Sequence, residues 1–118
     1  MLQINAKEWI VRAMLNDRVR NDTAKQFGIR PSHLQALSAL YSLIKREFRP
    51  VGPGELYAST PISPTLLRSY VRILVLGDYV ERYRIDGRPR LRLTSKGNHV
   101  ILVYARRLQQ AVDRYLAA

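Results

Sequence analysis

The stretch richest in possible chemistry runs from Arg82 to Arg92. There Arg82, Arg84, Arg88, Arg90 and Arg92 are interleaved with apolar residues such as Tyr83, Ile85 and Leu91. Alternation at period two reads as strand, from Tyr83 to Ile85 and again from Leu91 to Leu93. Asp86-Gly87 between the two is a turn signal. A two-residue loop at Asp86-Gly87 would set Tyr83 opposite Arg90 and mix charged with apolar residues on each face. A three-residue loop, Asp86 to Arg88, pairs Tyr83 with Leu91, Ile85 with Pro89, Arg84 with Arg90 and Arg82 with Arg92. Directly opposed residues share a face, so the pattern favours the three-residue loop. The expected ribbon then carries four arginines on one face and Arg88 at its tip. Opposed like charges destabilise a sheet by up to about 1 kcal/mol per pair, and salt screens that repulsion without removing it. A polyanion would turn the same face to use through counterion release. A solvated edge or an acidic protein surface is the other use for it.

A second pattern lies just upstream. Thr65, Arg68, Ser69 and Arg72 fall at i, i+3, i+4 and i+7, one face of a helix. Leu67, Tyr70, Val71 and Leu74 take the opposite face. Ser63 followed by Pro64 is a start signal, since a serine oxygen accepts from free N–H groups and proline suits the first helical position. Gly77 ends the run, where a left-handed residue is easiest to place. Arginine can bond guanine bidentately, and hydroxyls can take phosphates or base edges. The plain alternative is the solvated side of an amphipathic helix.

The chain that must hold these two elements has 118 residues, a length suited to one domain with a sizeable core. Its 20 Lys and Arg against 9 Asp and Glu give a net charge of +11. Such a field favours nucleic acid, acidic lipid or an acidic protein. No cysteine is present, so disulfides, thiolate metal sites and thiol sensing are excluded. His33 and His99 are far apart and offer no metal spacing; each is expected on a helix surface. No cofactor and no metal are expected. No apolar run approaches a membrane span and no signal peptide opens the sequence, so a cytoplasmic location without membrane attachment is expected.

Asn5-Ala6-Lys7-Glu8 has the form of a capping box opening a helix with Trp9, Ile10, Ala13 and Met14 on one side. One long helix or two shorter ones fit the stretch from Ala6 to Phe27, because Asn21-Asp22 reads either as a break or as a polar turn. Ser32-x-x-Gln35 is a second capping box, followed by Leu34, Leu37, Leu40, Tyr41, Ile44 and Phe48 at helical spacing, the clearest core helix. Pro50 to Gly54 reads as a loop, and a short helix is expected from Glu55 to Ser59. After Gly97 a helix runs nearly to the end. Ile101, Tyr104, Leu108, Ala111 and Tyr115 form a heptad-like seam, widened by Leu102, Ala105, Val112 and Leu116. The seam either packs back on the N-terminal helix or builds a dimer interface, and its width favours the dimer.

Glu55-Leu56, Ile62-Ser63-Pro64, the helix to Gly77 and Tyr79-Val80-Glu81-Arg82 resemble the helix-turn-helix of MarR-type transcriptional regulators. Arg84 to Arg92 and the closing Leu93-Thr94-Ser95-Lys96-Gly97 are similar to that family's wing and its Leu-Thr-x-x-Gly signature, which PadR-like groups share. Leu34 to Gly97 carries the resemblance closely and the flanking helices loosely. Two departures are visible: Thr60-Pro61 shortens the first helix of the motif, and Asp78 after Gly77 shifts a helix end by one.

The resemblance implies a mainly α fold with a small β-hairpin (α+β), a winged helix-turn-helix whose N- and C-terminal helices form a dimerisation region. One domain spans 1–118, with an N-terminal helical region at 5–30, a DNA-binding core at 32–97, a wing at 79–93 and a C-terminal dimerisation helix at 95–117. It implies a homodimer bound to double-stranded DNA, not an enzyme, with no catalytic residues. The helix from Pro64 would enter the major groove through Ser63, Thr65, Arg68, Ser69 and Arg72. Arg82, Arg84, Arg88, Arg90 and Arg92, turning at Asp86 and Gly87, would follow the backbone or minor groove. Trp9, Ile101, Tyr104, Leu108, Ala111, Val112 and Tyr115 would join the subunits. A small-molecule effector stays open, with no residue indicating one. The function implied is sequence-specific regulation of transcription, most simply repression. The alternatives are an accessory DNA-binding protein of plasmid, phage or mobile-element replication or transfer, and a protein-interaction winged helix with an acidic partner.

Overall fold

Leu34, Leu37, Leu40 and Leu43 lie along one side of a single helix and are all buried, and the other elements are built against that ridge. The structure, a computed structural model, describes residues 6–118. In chain order it has α1 (Ala6–Phe27), α2 (Pro31–Glu47), α3 (Pro53–Ser59), α4 (Pro64–Leu76), β1 (Val80–Ile85), β2 (Arg88–Leu93) and α5 (Ser95–Ala117). This is the expected mainly α architecture with one hairpin. Leu56 of α3, Leu67, Val71 and Leu74 of α4, Val80 of β1, Leu91 of β2 and Val100 and Ile101 of α5 complete the core.

α1 is one continuous helix. Asn21 and Asp22 are both exposed within it, so their polar side chains reach water without interrupting the ladder. It stops at Gly28, whose φ of 69° is the left-handed conformation glycine adopts without a Cβ penalty. Asn5, the expected cap, lies outside the described residues. α2 begins earlier than the Ser32 box implies. Pro31 occupies the first turn and Arg30 is the cap residue, with no side-chain cap bond. Proline has no N–H to leave unsatisfied and its fixed φ suits that position, so it overrides the serine. α2 also ends before Phe48, which takes φ 56°, donates its N–H to the Ile44 carbonyl at 2.8 Å and is 92% exposed. The expected core phenylalanine is therefore a surface residue.

Pro50 to Gly54 is only partly a loop. Val51 is fully buried and pairs with Leu91, its N–H donating to the Leu91 carbonyl at 3.3 Å and its carbonyl accepting from the Leu91 N–H at 2.7 Å. It thus adds a one-residue third strand to the hairpin. Pro53 and Gly54 already belong to α3.

The hairpin has the register that pattern alone disfavoured. The pairs are Val80 with Leu93, Glu81 with Arg92, Arg82 with Leu91, Tyr83 with Arg90, Arg84 with Pro89 and Ile85 with Arg88. The loop is Asp86-Gly87, with φ of 52° and 77°. Two successive positive φ values mark a type I′ turn, whose twist matches that of the strands it joins. The one-residue shift changes which side chains share each face. No arginine opposes another, and Arg92 meets Glu81 instead, which removes the like-charge repulsion of the expected pairing.

The step from wing to α5 is a tightly bonded corner. Thr94 Oγ1 accepts from the Gly97 N–H at 3.1 Å and donates to the Asp78 carbonyl at 2.5 Å. The Thr94 N–H donates to the Tyr79 carbonyl at 3.1 Å. Lys96 Nζ lies 4.4 Å from the Tyr79 ring centroid and donates to the Gly77 carbonyl at 2.8 Å. Gly77 itself has φ −82°; the left-handed residue is Asp78, at φ 64°. Gly77 is glycine for space, because a Cβ there would stand 2.8 Å from the Tyr79 ring.

α5 runs antiparallel to α1 and packs along it, with Arg12 donating to Gln109, Tyr104 hydroxyl to Asn16, and Phe27 edge-on to His99 at 5.8 Å. Ile101 and Val112 of the expected dimerisation set are buried within the protomer itself. Trp9, Ile10, Met14, Leu102 and Tyr115 stay half or more exposed.

His33, expected on a helix surface, is buried against Tyr70, ring centroids 5.2 Å apart in a T-shaped contact. Burial, reinforced by Arg30, lowers its pKa below the ordinary 6.5. The unfolded chain then binds the proton more readily than the folded one. Stability from this group is full above pH 6.5 and is lost as pH falls through the folded value. Urea midpoints from about pH 7.5 to about pH 5 are expected to fall for the wild type and to fall less for His33→Leu; equal slopes would assign the acid sensitivity elsewhere.

Candidate nucleic-acid interface

α4 presents its two faces as the spacing requires. Ser63 caps it, Oγ accepting from the Leu66 N–H at 3.3 Å. Leu67, Val71 and Leu74 are buried and Tyr70 is half-buried over His33, while Thr65, Arg68, Ser69 and Arg72 are all exposed. The Arg68 guanidinium lies 5.6 Å from the ring centroid of Tyr57 on α3, so an aromatic neighbour holds it without neutralising it. Arg72 has no ion pair or side-chain hydrogen bond among the described residues. Tyr57 is the one site neighbour that pattern reading passed over. Its signal was an aromatic beside the buried Leu56 on the short helix that precedes the turn.

The Glu55 carboxylate at the start of α3 is neutralised by its own neighbours. Arg49 donates to Glu55 through two nitrogens, at 3.0 and 2.7 Å, and the Gly52 N–H adds a third bond at 3.1 Å. The bond from Arg49, then that from Gly52, lowers the Glu55 pKa to about 2. Glu55 also closes the first turn of α3, so this acid serves the helix-turn-helix as a brace.

The wing carries its arginines on both faces. Arg82 and Arg84 stand on the face with Leu91 and Pro89; Arg88, Arg90 and Arg92 stand on the other with Ile85, Tyr83 and Glu81. The expected row of four on one face is therefore absent, for the register reason given above. The five differ in availability. Arg92 is committed: its Nε donates to Glu81 at 2.9 Å and its guanidinium lies 4.6 Å from the Tyr83 ring. Arg84 folds back to the Gly87 carbonyl at 2.8 Å and ties the turn. Arg90 is half-buried beside Gly52, where its Nη1 stands 3.0 Å from the position a Cβ would take. Arg82 and Arg88 are exposed with no partner among the described residues. Asp86 and Gly87 act through backbone geometry at the tip. The cations left for a polyanion are Arg68 and Arg72 on the helix and Arg82 and Arg88 on the wing.

Away from this surface, a groove of about 610 Å³ lies between α1 and α5. It is lined by Leu15, Arg18, Val19 and Asp22 on one side and by Arg107, Gln110, Ala111, Arg114 and Tyr115 on the other. Ala111 and Tyr115 of the expected dimerisation seam thus face an open groove, while Tyr104 and Leu108 are half-buried between the helices. Among the described residues no cluster of His, Asp and Glu could hold a metal ion, and no helix is long and apolar enough to cross a membrane.

No protein-family model and no curated protein matches this sequence. Solved structures do match its fold. The chain superimposes on an S. aureus MepR mutant bound to an oligodeoxyribonucleotide with a TM-score of 0.74 at 12% identity, covering 97% of this chain and 84% of that one. It superimposes on the Thermotoga maritima transcriptional regulator Tm0710 with a TM-score of 0.71 at 22% identity, covering 93% and 78%. A mutant MarR from E. coli complexed with operator DNA gives 0.67 at 18% identity, covering 89% and 74%. The architecture is the winged-helix fold of MarR structures, shared over nearly the whole chain.

Proposed function

We propose that this protein is a sequence-specific, double-stranded DNA-binding regulator of transcription that works as a homodimer in the cytoplasm, most simply a repressor occluding a promoter. α4 enters the major groove with Thr65, Arg68, Ser69 and Arg72, and the wing lies on the backbone or minor groove through Arg82 and Arg88. The observation that carries this reading is that helix and wing expose the same kind of side chain. The arginine and hydroxyl face of α4 and Arg82 and Arg88 of the wing are exposed, the two wing arginines without a partner among the described residues, on a fold shared with proteins solved on DNA. Repression is the simplest consequence of occupying a promoter and follows from the fold only by analogy. Subunits join through α1 and α5, where Trp9 (62% exposed) and Tyr115 (50%) remain uncovered in the protomer; Tyr104, Leu108 and Ala111 complete the seam.

Nuclease footprinting on the DNA upstream of its own gene tests the reading. A dimer of this kind is expected to protect two related half-sites, centred about one helical turn apart. Uniform cleavage at all protein concentrations would oppose it.

Within the wing the structure ranks the arginines. Arg88→Ala is expected to weaken binding on every duplex alike and to reduce the salt slope by about one counterion. Arg92→Ala is expected to leave that slope nearly unchanged, since Glu81 already neutralises the side chain. A reversed ranking in a salt titration would show that the Glu81–Arg92 pair opens on DNA.

A further inference from the structure

The exposed side of α4 has a second stripe. Leu66, Ser69, Ile73 and Leu76 follow at i, i+3, i+7 and i+10, alongside Thr65, Arg68 and Arg72. Leu66 is 51% exposed, Ile73 43% and Leu76 77%, so each leaves apolar surface open to solvent. These side chains have no hydrogen-bonding atoms, so they can hold neither phosphate nor sugar. Leu66 falls in the first turn beside the Ser63 cap, the end at which a recognition helix meets base edges. In the major groove the apolar group that distinguishes one base from the others is the C5-methyl of thymine.

We propose that Leu66 and Ile73 read thymine C5-methyl groups, so that the DNA site carries thymines beside the bases taken by Arg68 and Arg72. This inference rests on the DNA-binding reading above. DNA is the occupant that fits because the stripe shares Ser69 with the cationic face of the same helix, and the hydroxyls of Thr65 and Ser69 lie between Leu66 and Ile73 on one side and Arg68 and Arg72 on the other, all of them exposed. The two side chains are seven residues apart, about 10 Å along the helix axis, which corresponds to roughly three base-pair steps. The thymines they touch are expected at about that separation. Leu76 extends the stripe at the far end of the helix and is not required.

The test compares the footprinted duplex with the same duplex carrying deoxyuridine at every thymine, which keeps each hydrogen-bonding group and removes only the methyl. Affinities are measured for the wild type, Leu66→Ala, Ile73→Ala and the double variant. Both residues are half-exposed, so urea midpoints of the variants are expected to stay close to that of the wild type. One methyl is worth about fourfold, so the wild type is expected to bind the uracil duplex about tenfold or more weakly. The double variant is expected to bind both duplexes within about twofold. A wild type indifferent to the methyl overturns the inference, as does a double variant that keeps the full uracil penalty. In either case binding that still depends on Arg72 leaves the DNA-binding reading standing. A wild type with no preferred duplex takes down both. A change in sedimenting mass on Leu66→Ala or Ile73→Ala, with thymine dependence unaltered, assigns the stripe to a protein contact and also overturns it.

Discussion

Gly97→Ala is expected to destabilise the protein by about 3 kcal/mol or more, at the upper end of what adding one methyl to a packed site does. A Cβ at Gly97 would stand 2.0 Å from the Tyr79 carbonyl oxygen and 3.0 Å from its carbonyl carbon, with Leu93 Cβ at 3.5 Å. The obstacle is backbone, so no rotamer change relieves it. The Tyr79 carbonyl cannot simply withdraw, because it accepts from the Thr94 N–H and sits between the left-handed Asp78 and the first residue of β1. Either the first turn of α5 lifts from the hairpin or the hairpin leaves the core. Gly54→Ala is the control: nothing lies within 4 Å of its added Cβ, and alanine is the better helix former, so stability is expected to hold or rise slightly. Urea unfolding of both variants checks the pair. A Gly97→Ala protein as stable as the wild type would mean that the corner between wing and α5 is laxer than its hydrogen bonds imply.

The second large effect is on DNA. Arg68→Ala and Arg72→Ala are each expected to lose about 1–3 kcal/mol on the preferred duplex and much less on scrambled sequence, if the guanidinium bonds a base edge in bidentate fashion. Arg72 has no ion pair or side-chain hydrogen bond among the described residues to release, so its loss falls on binding alone. Arg68 also leaves the face of Tyr57, and its effect includes whatever orientation that ring provides. Equal weakening on all sequences would reassign either residue to phosphate.

What the sequence made legible was whatever a single helical period or a short local motif decides. α4, its Ser63 cap and its two faces follow from residues within one or two turns of each other, and the Leu93-Thr94-x-x-Gly97 step was legible as a motif, though not its contacts with Gly77, Asp78 and Tyr79. The wing register did not, because two physical preferences pointed in opposite directions. Like residue types assort onto one face only with a three-residue loop, whereas Asp86 and Gly87 together make a two-residue turn whose twist suits the strands. The turn prevails, and mutual repulsion of arginines adds to its advantage. Val51 was read as loop because its partner, Leu91, lies forty residues away in sequence and no local signal announces the bridge. Phe48 looked like core because it keeps the helical spacing, yet the helix ends one residue before it. His33 looked like surface because one apolar neighbour from α4, Tyr70, covers it. In the site, types and positions were legible and availability was not. That Arg92 is paired, Arg84 folded back and Arg82 and Arg88 unpaired follows only from the register.

The most direct test is fluorescence anisotropy of the protein on its own upstream duplex and on a scrambled duplex of equal length, across a salt series. Tight binding to the first that persists to about 200 mM salt, with the second falling away steeply, is the expected result. Equal, weak binding to both that disappears with salt would contradict specific regulation. The arginines of α4 and the wing would then form a nonspecific basic surface, and an acidic protein partner would be the next candidate.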